Sequence, residues 1–359
     1  MLHLQQLELL QFRNYTQKRF LFPKRITAIC GSNGSGKTNL LDAAYYCCFS
    51  RSYFTRPEQT NVLHGAQGMR IEGRFSNAEK NDTVCAIIRE TGKKELLLNG
   101  EAYKQFSQHI GQFPCVMIAP DDIGLINEGG EARRKYMDTI LAQTDPAYLQ
   151  SLMLYQKLLQ QRNSLLKQLQ EQKGSMDVLD ILSDQLSVQG QLIYEKRFNF
   201  IATLKENVLR FYQQIAQADD GLQVNYQSQL HNSPMRELMQ QSLQKDLILQ
   251  RTTTGIHRDD LEFKMDEQAF KTEASQGQRK SLLFALKLAE WQWLKQAKGF
   301  APILLLDDVF EKLDARRMHQ LLEWVCTESD SQVLITDTHK ERLEAHLNEI
   351  GSEYEIIQL

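Results

Sequence analysis

The opening stretch MLHLQQLELLQF alternates apolar and polar side chains, and that period of two predicts a strand with one buried face. RITAIC (25–30) is instead a short unbroken apolar run. It predicts a strand covered on both sides, and it leads into a glycine-rich loop. DTVCAIIRETGKKELLLNGEAY (82–103) holds two β-rich runs around Thr91-Gly92 and a second turn at Asn99-Gly100, the pattern of a small antiparallel meander. FPCVMIAP (113–120) predicts a buried strand closed by Pro120.

From about residue 121 to 249 the period changes. Glycine becomes scarce, glutamine abundant, and apolar residues recur at three–four spacing: Leu152, Tyr155, Leu159, Leu166 and Leu169, then Leu179, Leu182, Leu186 and Ile193. Arg162 and Gln189 interrupt these runs, and QKGSMD (172–177) separates them, so the two helices fold back as an antiparallel pair. After Arg251 the β pattern returns. LEFKM reads as a strand, residues 281–298 as a long amphipathic helix, PILLLDD and SQVLITD as buried parallel strands, and SEYEIIQL as an edge strand. The expected architecture is α/β: one head formed by 1–120 and 250–359, split by a helical insertion, 121–249, with a short coiled-coil-like arm.

Composition narrows this picture little. The chain has 359 residues, room for two or three domains, with 42% hydrophobic and 24% charged residues as in ordinary globular proteins. A net charge of −3 supplies no overall basic field, so any nucleic acid must be held by a local patch. No apolar run approaches the ~20 residues of a membrane span, and the N-terminus lacks a signal-peptide core. The six cysteines lie in apolar stretches without metal-type spacing, which points to buried thiols in a reducing cytoplasm.

Chemistry enters with GSNGSGKT, which fits G-x-x-x-x-G-K-[ST] between a predicted strand and a predicted helix. Gly31, Ser32, Asn33, Gly34, Ser35, Gly36, Lys37, Thr38 and Asn39 are the candidate ATP-binding residues. Backbone N–H groups of the loop cradle phosphates, Lys37 neutralises the β- and γ-phosphates, and Thr38 ligates Mg2+. Asp307 ends an apolar strand, where a metal-binding carboxylate belongs. Asp308 follows it and is placed to polarise the attacking water, with one methylene less than a glutamate and therefore slow turnover. His339 ends the next strand unit, within reach of a γ-phosphate, and Asp314 lies in the loop between.

ASQGQRKS (274–281) opens the long C-terminal helix. Ser275 can cap it, but Gly277 and the absence of acidic residues fit an anion site at a helix N-terminus. With one phosphate loop per chain, the nucleotide for this second site comes from another copy, so Ser275, Gln276, Gly277 and Gln278 act in trans within an ATP-dependent homodimer.

Phosphate loop, S-x-G-Q segment, paired aspartates, Asp314 and His339, in that order, resemble an ABC-type ATPase head of the SMC kind. LELLQFRNYTQKRFLF, APDDIGLINEGGEARRKYMD, GIHRDD and LLLDDVFEKLDARR bring the resemblance close to the RecF family of bacterial recombination mediators, over nearly the whole chain. That resemblance implies a cytoplasmic, weakly active, DNA-stimulated ATPase that dimerises on ATP. It implies action on double-stranded and gapped DNA with RecR and RecO, promoting RecA loading in repair and replication restart. It also assigns Lys37 and Thr38 to nucleotide and magnesium, Asp307 to the metal, Asp308 to hydrolysis, and Asp314 and His339 to coupling with the interface. Two features depart from the general ABC pattern: Gln276 replaces the first signature glycine, and APDDIGLI stands where a glutamine loop is expected, leaving Asp121 or Asp122 as substitutes.

DNA contacts are the faintest signal. Arg133, Arg134 and Lys135 in EARRKY, and the basic KRFLFPKR (18–25), are candidates for phosphate contacts without base reading. Two other functions share such a head: energising a transporter, or binding nucleotide as an interaction module without turnover. A membrane partner discriminates the first, and absent phosphate release the second.

Overall fold

The computed structural model describes the chain except residues 79, 172, 218–219 and 310–314. It divides into two compact units, one of Met1–Ile123, Arg210–Gln217 and Gln276–Leu359, the other of Gly124–Leu209 and Ala218–Ser275.

The first unit holds two sheets. The antiparallel one contains β1 (Leu2–Phe12), β2 (Tyr15–Leu21), β4 (Met69–Asn77), β5 (Lys80–Ile88), β6 (Lys94–Leu98) and β7 (Glu101–Ala102), in the order β2-β1-β4-β5-β6-β7. The alternation read at the N-terminus holds in two halves, Leu2 and Leu4 then Leu7 and Leu9, all buried, with a register shift against β4 between Leu4 and Gln6. Asn99 and Gly100 both take positive φ, 53° and 86°, as a two-residue hairpin loop requires. The second sheet is parallel, in the order β14 (Tyr354–Gln358), β3 (Ile26–Cys30), β13 (Val333–Asp337), β12 (Ile303–Leu306), β8 (Cys115–Ile118). Four of its five strands, β3, β13, β12 and the edge strand β8, are buried throughout, which explains their unbroken apolar sequences, whereas the other edge, β14, is half-exposed.

Between the sheets lies α1 (Lys37–Phe49), with Leu40, Leu41, Ala43, Tyr46 and Cys47 buried in a single core against both. Each fully buried large apolar side chain there stabilises the unit by about 1.5–3 kcal/mol. Gln332, at 0% exposure, accepts from Leu4 N at 2.6 Å and donates to Leu4 O at 2.8 Å, tying the two sheets together. The unit is completed by α8 (Gln276–Lys298), α9 (Ala315–Glu323), which runs into a π turn, and α10 (Lys340–Ile350). All six cysteines are buried and free.

The second unit contains α2 (Gly124–Asn127), α3 (Gly130–Thr144), α4 (Pro146–Gln170), most of α5 (Met176–Ala216), α6 (Met235–Leu249), α7 (Phe270–Glu273) and a small sheet, β11 (Gln268–Ala269)-β10 (Asp260–Met265)-β9 (Leu222–Gln227). Asp145 starts α4 as an N-cap, accepting from the N–H groups of Ala147 and Tyr148 at 3.0 Å, with proline at the first helical position. The two long helices run antiparallel: Arg162 meets Ser183, and Tyr148 meets Arg197. This unit extends to Ser275, beyond the return to β pattern near residue 250, because β10 pairs with β9 (Leu261 opposite Tyr226).

Candidate nucleotide site

The phosphate loop joins β3 to α1, and its exposed crest is Ser32, Asn33 and Gly34. Gly36 takes φ 109°, and a Cβ there would lie 2.6–3.0 Å from Asn14 and Tyr15, so glycine is required twice over. The β1–β2 turn forms this side of the loop. Asn14 donates to Ser35 O (3.2 Å), Tyr15 to Gly36 O (3.0 Å), and Asn39 to Asn14 Oδ1 (2.8 Å). Arg13 holds the turn down through Asn39 Oδ1 (2.9 Å) and the buried Asp42 (2.6 Å). The loop they touch lies 21 to 26 positions further on, so these residues escape a reading based on spacing.

Lys37 is 4% exposed, and its ammonium donates to two carbonyls of its own loop, Gly31 O at 3.0 Å and Ser32 O at 3.2 Å. Asp307 is 3% exposed. Its Oδ1 accepts from Thr38 Oγ1 (3.0 Å) and Thr336 Oγ1 (2.9 Å). Among the described residues neither group forms an ion pair. Burial pushes the Asp307 carboxyl up to about 6; Asp308 adds to this, while the two threonine hydrogen bonds and Lys37 oppose it. The buried carboxylate and the hydroxyl that meets it are hard oxygen donors, and this donor set fits Mg2+ held by Thr38 and Asp307.

Asp308 follows with φ 44°, a left-handed backbone rare for aspartate, and its N–H donates to Thr336 Oγ1 at 2.9 Å. Thr336 thus braces both aspartates. His339 is exposed at the N-cap of α10, its N–H bonded to Asp337 Oδ1 at 2.7 Å, and Arg342 grips the same carboxylate at 2.8 and 2.9 Å. Asp314 lies outside the described residues.

The segment 276–280 is itself the first turn of α8, and that turn contains no acidic residue. A Cβ on Gly277 would lie 2.6–3.1 Å from the Arg317 guanidinium of α9, so the glycine admits an arginine to the helix start. Ser275 and Gln276 are exposed; Gly277 and Gln278 are half-buried.

Deeper in the same unit, α8 carries a buried charge cluster. Lys287 lies 3.3 Å from Asp122 and 3.8 Å from Glu290, and donates to Tyr53 Oη at 3.4 Å. Tyr53 also donates to Asp122, which accepts from Ala119 N at 2.8 Å. Asp122 is therefore built into the turn after β8, whereas Asp121, the other residue considered for a glutamine-loop role, is exposed. Desolvation pushes the Glu290 carboxyl up to about 7, with Lys287 opposing and Asp122 adding.

The DNA candidates divide. Arg133 is turned inward: it pairs with both oxygens of Asp260 (2.7 and 2.9 Å) and donates to Leu125 O and Glu128 O, so its side chain is structural and corrects the expected DNA contact. Arg134 is half-buried and donates to Asp259 O at 2.6 Å, while Lys135 is exposed. In the 18–25 stretch, Arg25 is likewise used internally, on the carbonyls of Val325, Ser329 and Ser331.

The family model for the RecF/RecN/SMC N-terminal domain matches residues 3–354. The DNA replication and repair protein RecF of Flavobacterium johnsoniae is 39% identical over 359 residues, covering 100% of both chains. The protein of the same name from Phocaeicola vulgatus is 34% identical, over 98% of this chain and 95% of its own. Among solved structures, the recombination mediator protein RecF with ATP, of the RecFOR pathway, matches with TM-score 0.87 at 29% identity, over 94% of this chain and 92% of that chain. An Smc head domain with an extended coiled coil, from Pyrococcus furiosus, matches with TM-score 0.56 at 17% identity over 96% and 92%, a likeness of fold alone.

Proposed function

The chain belongs to the RecF family, within the RecF/RecN/SMC N-terminal domain class, and on that basis we propose that it is an ATP-dependent DNA-binding recombination mediator whose two copies engage through nucleotide. The observation that carries this reading is the pair of buried, oppositely charged groups, Lys37 and Asp307, whose hydrogen bonds among the described residues go only to loop carbonyls and threonine hydroxyls. A triphosphate with its magnesium supplies the opposite charge to each.

In the nucleotide complex Lys37 exchanges the carbonyls of Gly31 and Ser32 for phosphate oxygens, while loop N–H groups and the α1 N-terminus take the remaining charge. Thr38 and Asp307 would hold Mg2+, which would supply positive charge to offset that of the phosphates. Asp308 orients and deprotonates the attacking water from a backbone already fixed by Thr336, and its short side chain keeps hydrolysis slow. Ser275, Gln276, Gly277 and Gln278 close over the γ-phosphate of the partner copy, and His339 and Asp314 relay that closure. RecR and RecO are the partners of this cycle, which acts on gapped duplex DNA to load RecA. No helix among the described residues is long and apolar enough to cross a membrane.

The test is DNA binding on gapped, duplex and single-stranded substrates, with and without ATP, at two salt concentrations, together with sedimentation. We expect a gap preference and a dimer that both need ATP, and a Ser275→Arg variant that binds ATP yet stays monomeric. Equal DNA affinity with and without ATP, and a monomer throughout, would falsify the reading.

A further inference from the structure

Outside the nucleotide site, one cluster brings metal-type ligands together. His319 on α9 and His346 and Glu349 on α10 each offer one ligand atom, and these atoms lie within 4.8 Å of one another. Both imidazole Nδ1 atoms stand 3.8 Å from Glu349 Oε2, too far for a hydrogen bond. His346 Nδ1 is shielded from solvent and has no hydrogen-bond partner among the described residues. The three groups thus face a common point without satisfying one another.

We propose that His319, His346 and Glu349 form a binding site for a zinc-class divalent cation, distinct from the magnesium of the nucleotide site, that staples α9 to α10. The donor set decides the ion. Two imidazoles and a carboxylate suit zinc and its transition-metal neighbours, whereas magnesium takes oxygen ligands and keeps its waters. The spacing decides feasibility. Donors at about 2.0–2.1 Å from a tetrahedral zinc stand roughly 3.4 Å apart, so atoms that lie within 4.8 Å of one another need to close by no more than about 1.4 Å. His346 and Glu349 are one helical turn apart, on one face of α10. Beneath them Met318, Leu322, Leu343 and Leu347 are buried, so the ligands stand on packed helices. Three protein ligands leave a fourth position to water.

The position gives the site its consequence. The residue before α10 is His339, and α9 follows directly on the segment that contains Asp314. A cation here fixes α9 against α10, the helix that His339 caps. This inference uses only the local geometry and stands whether or not two copies engage through ATP.

The experiment is a titration of chelator-treated, nucleotide-free protein with Zn2+ by calorimetry, with Co2+ absorption reporting the ligand field and thermal unfolding reporting stabilisation. We expect one site per chain, unaffected by millimolar Mg2+, visible Co2+ bands and a midpoint raised by several degrees. His319→Ala and His346→Ala should each weaken binding at least about tenfold, and Glu349→Gln should do so while leaving the metal-free midpoint unchanged, since Glu349 is exposed. Because all six cysteines are buried, competition from thiols is small. Absence of saturable binding in the wild type overturns the proposal, and so does binding that all three variants retain.

Discussion

In the helical unit, Arg162 and Arg197 are closed off from water at 0% and 1% exposure, and both are answered by carboxylates. Arg162 reaches Asp246 at 2.8 Å and Thr252 at 2.7 Å; Arg197 reaches Asp259 at 2.9 Å, Asp138 at 2.8 Å and Ile256 O at 2.9 Å. In the head, Lys37 and Asp307 are almost as deeply buried, but among the described residues they hydrogen-bond to carbonyls and hydroxyls and form no ion pair, Lys37 acting on Asp307 only as the last of several weaker influences. The difference separates two uses of buried charge. Where the counter-charge comes from the chain, the group holds the fold together. Where the chain supplies only neutral dipoles, the desolvation penalty stays partly uncompensated until a ligand arrives. Glu290 is an intermediate case, one lysine shared with Asp122 in a closed cluster.

The comparison breaks first at Arg197. Arg197→Ala strands Asp259 and Asp138, and chemical denaturation should show a loss of about 3–5 kcal/mol. If stability is unchanged, the helical unit does not depend on its buried pairs. Next comes Glu290. Its folded pKa near 7 lies above the value near 4.5 of an exposed glutamate, so the folded state holds a proton that the unfolded state releases between those values. Stability should therefore fall as pH rises through this window, by at most about 3 kcal/mol. Glu290→Gln should flatten that dependence, as read from denaturation midpoints at pH 5 and pH 8. The groups facing Glu290 are Lys287, Asp122, Tyr45 and Tyr53.

Lys37→Ala sharpens the contrast from the other side. ATP affinity should drop at least about thirtyfold, roughly 2 kcal/mol, while the ligand-free melting point holds steady or rises, because an unpaired buried charge has gone. A melting point lowered as far as that of Arg197→Ala would erase the distinction. The smallest effect belongs to the surface. Lys135→Ala should weaken DNA binding a few-fold and reduce the salt slope by about one, with stability within about 0.5 kcal/mol. Arg133→Ala should instead show its loss in stability, since Asp260 would be left without its partner.

Much of the head could be read in advance because its signals are local. The phosphate loop needs a strand, glycines and a helix in sequence, and GSNGSGKT lies between an apolar run and a helical one. The buried parallel strands reveal themselves by lacking polar positions, and the Asn99-Gly100 turn by residues that tolerate positive φ. The helical arm was visible through its three–four period, although Arg162 looked there like an interruption of the seam. Its partner Asp246 lies 84 positions away, and no period reports such a pairing.

The sequence by itself determined which segments form strands, loops and helices, and which of them are candidates for phosphate and metal chemistry. These follow from backbone preference and burial over a few neighbouring residues. Only the tertiary structure decided what each charged side chain is for. EARRKY reads as one basic patch, yet Arg133 is turned onto Asp260, 127 positions on, while Lys135 two residues later is exposed. Gly277 reads as room for a phosphate, and it also makes room for Arg317. Arg133 is structural because the fold brings a counter-charge within about 4 Å, and that distance is set by contacts between segments far apart in the chain.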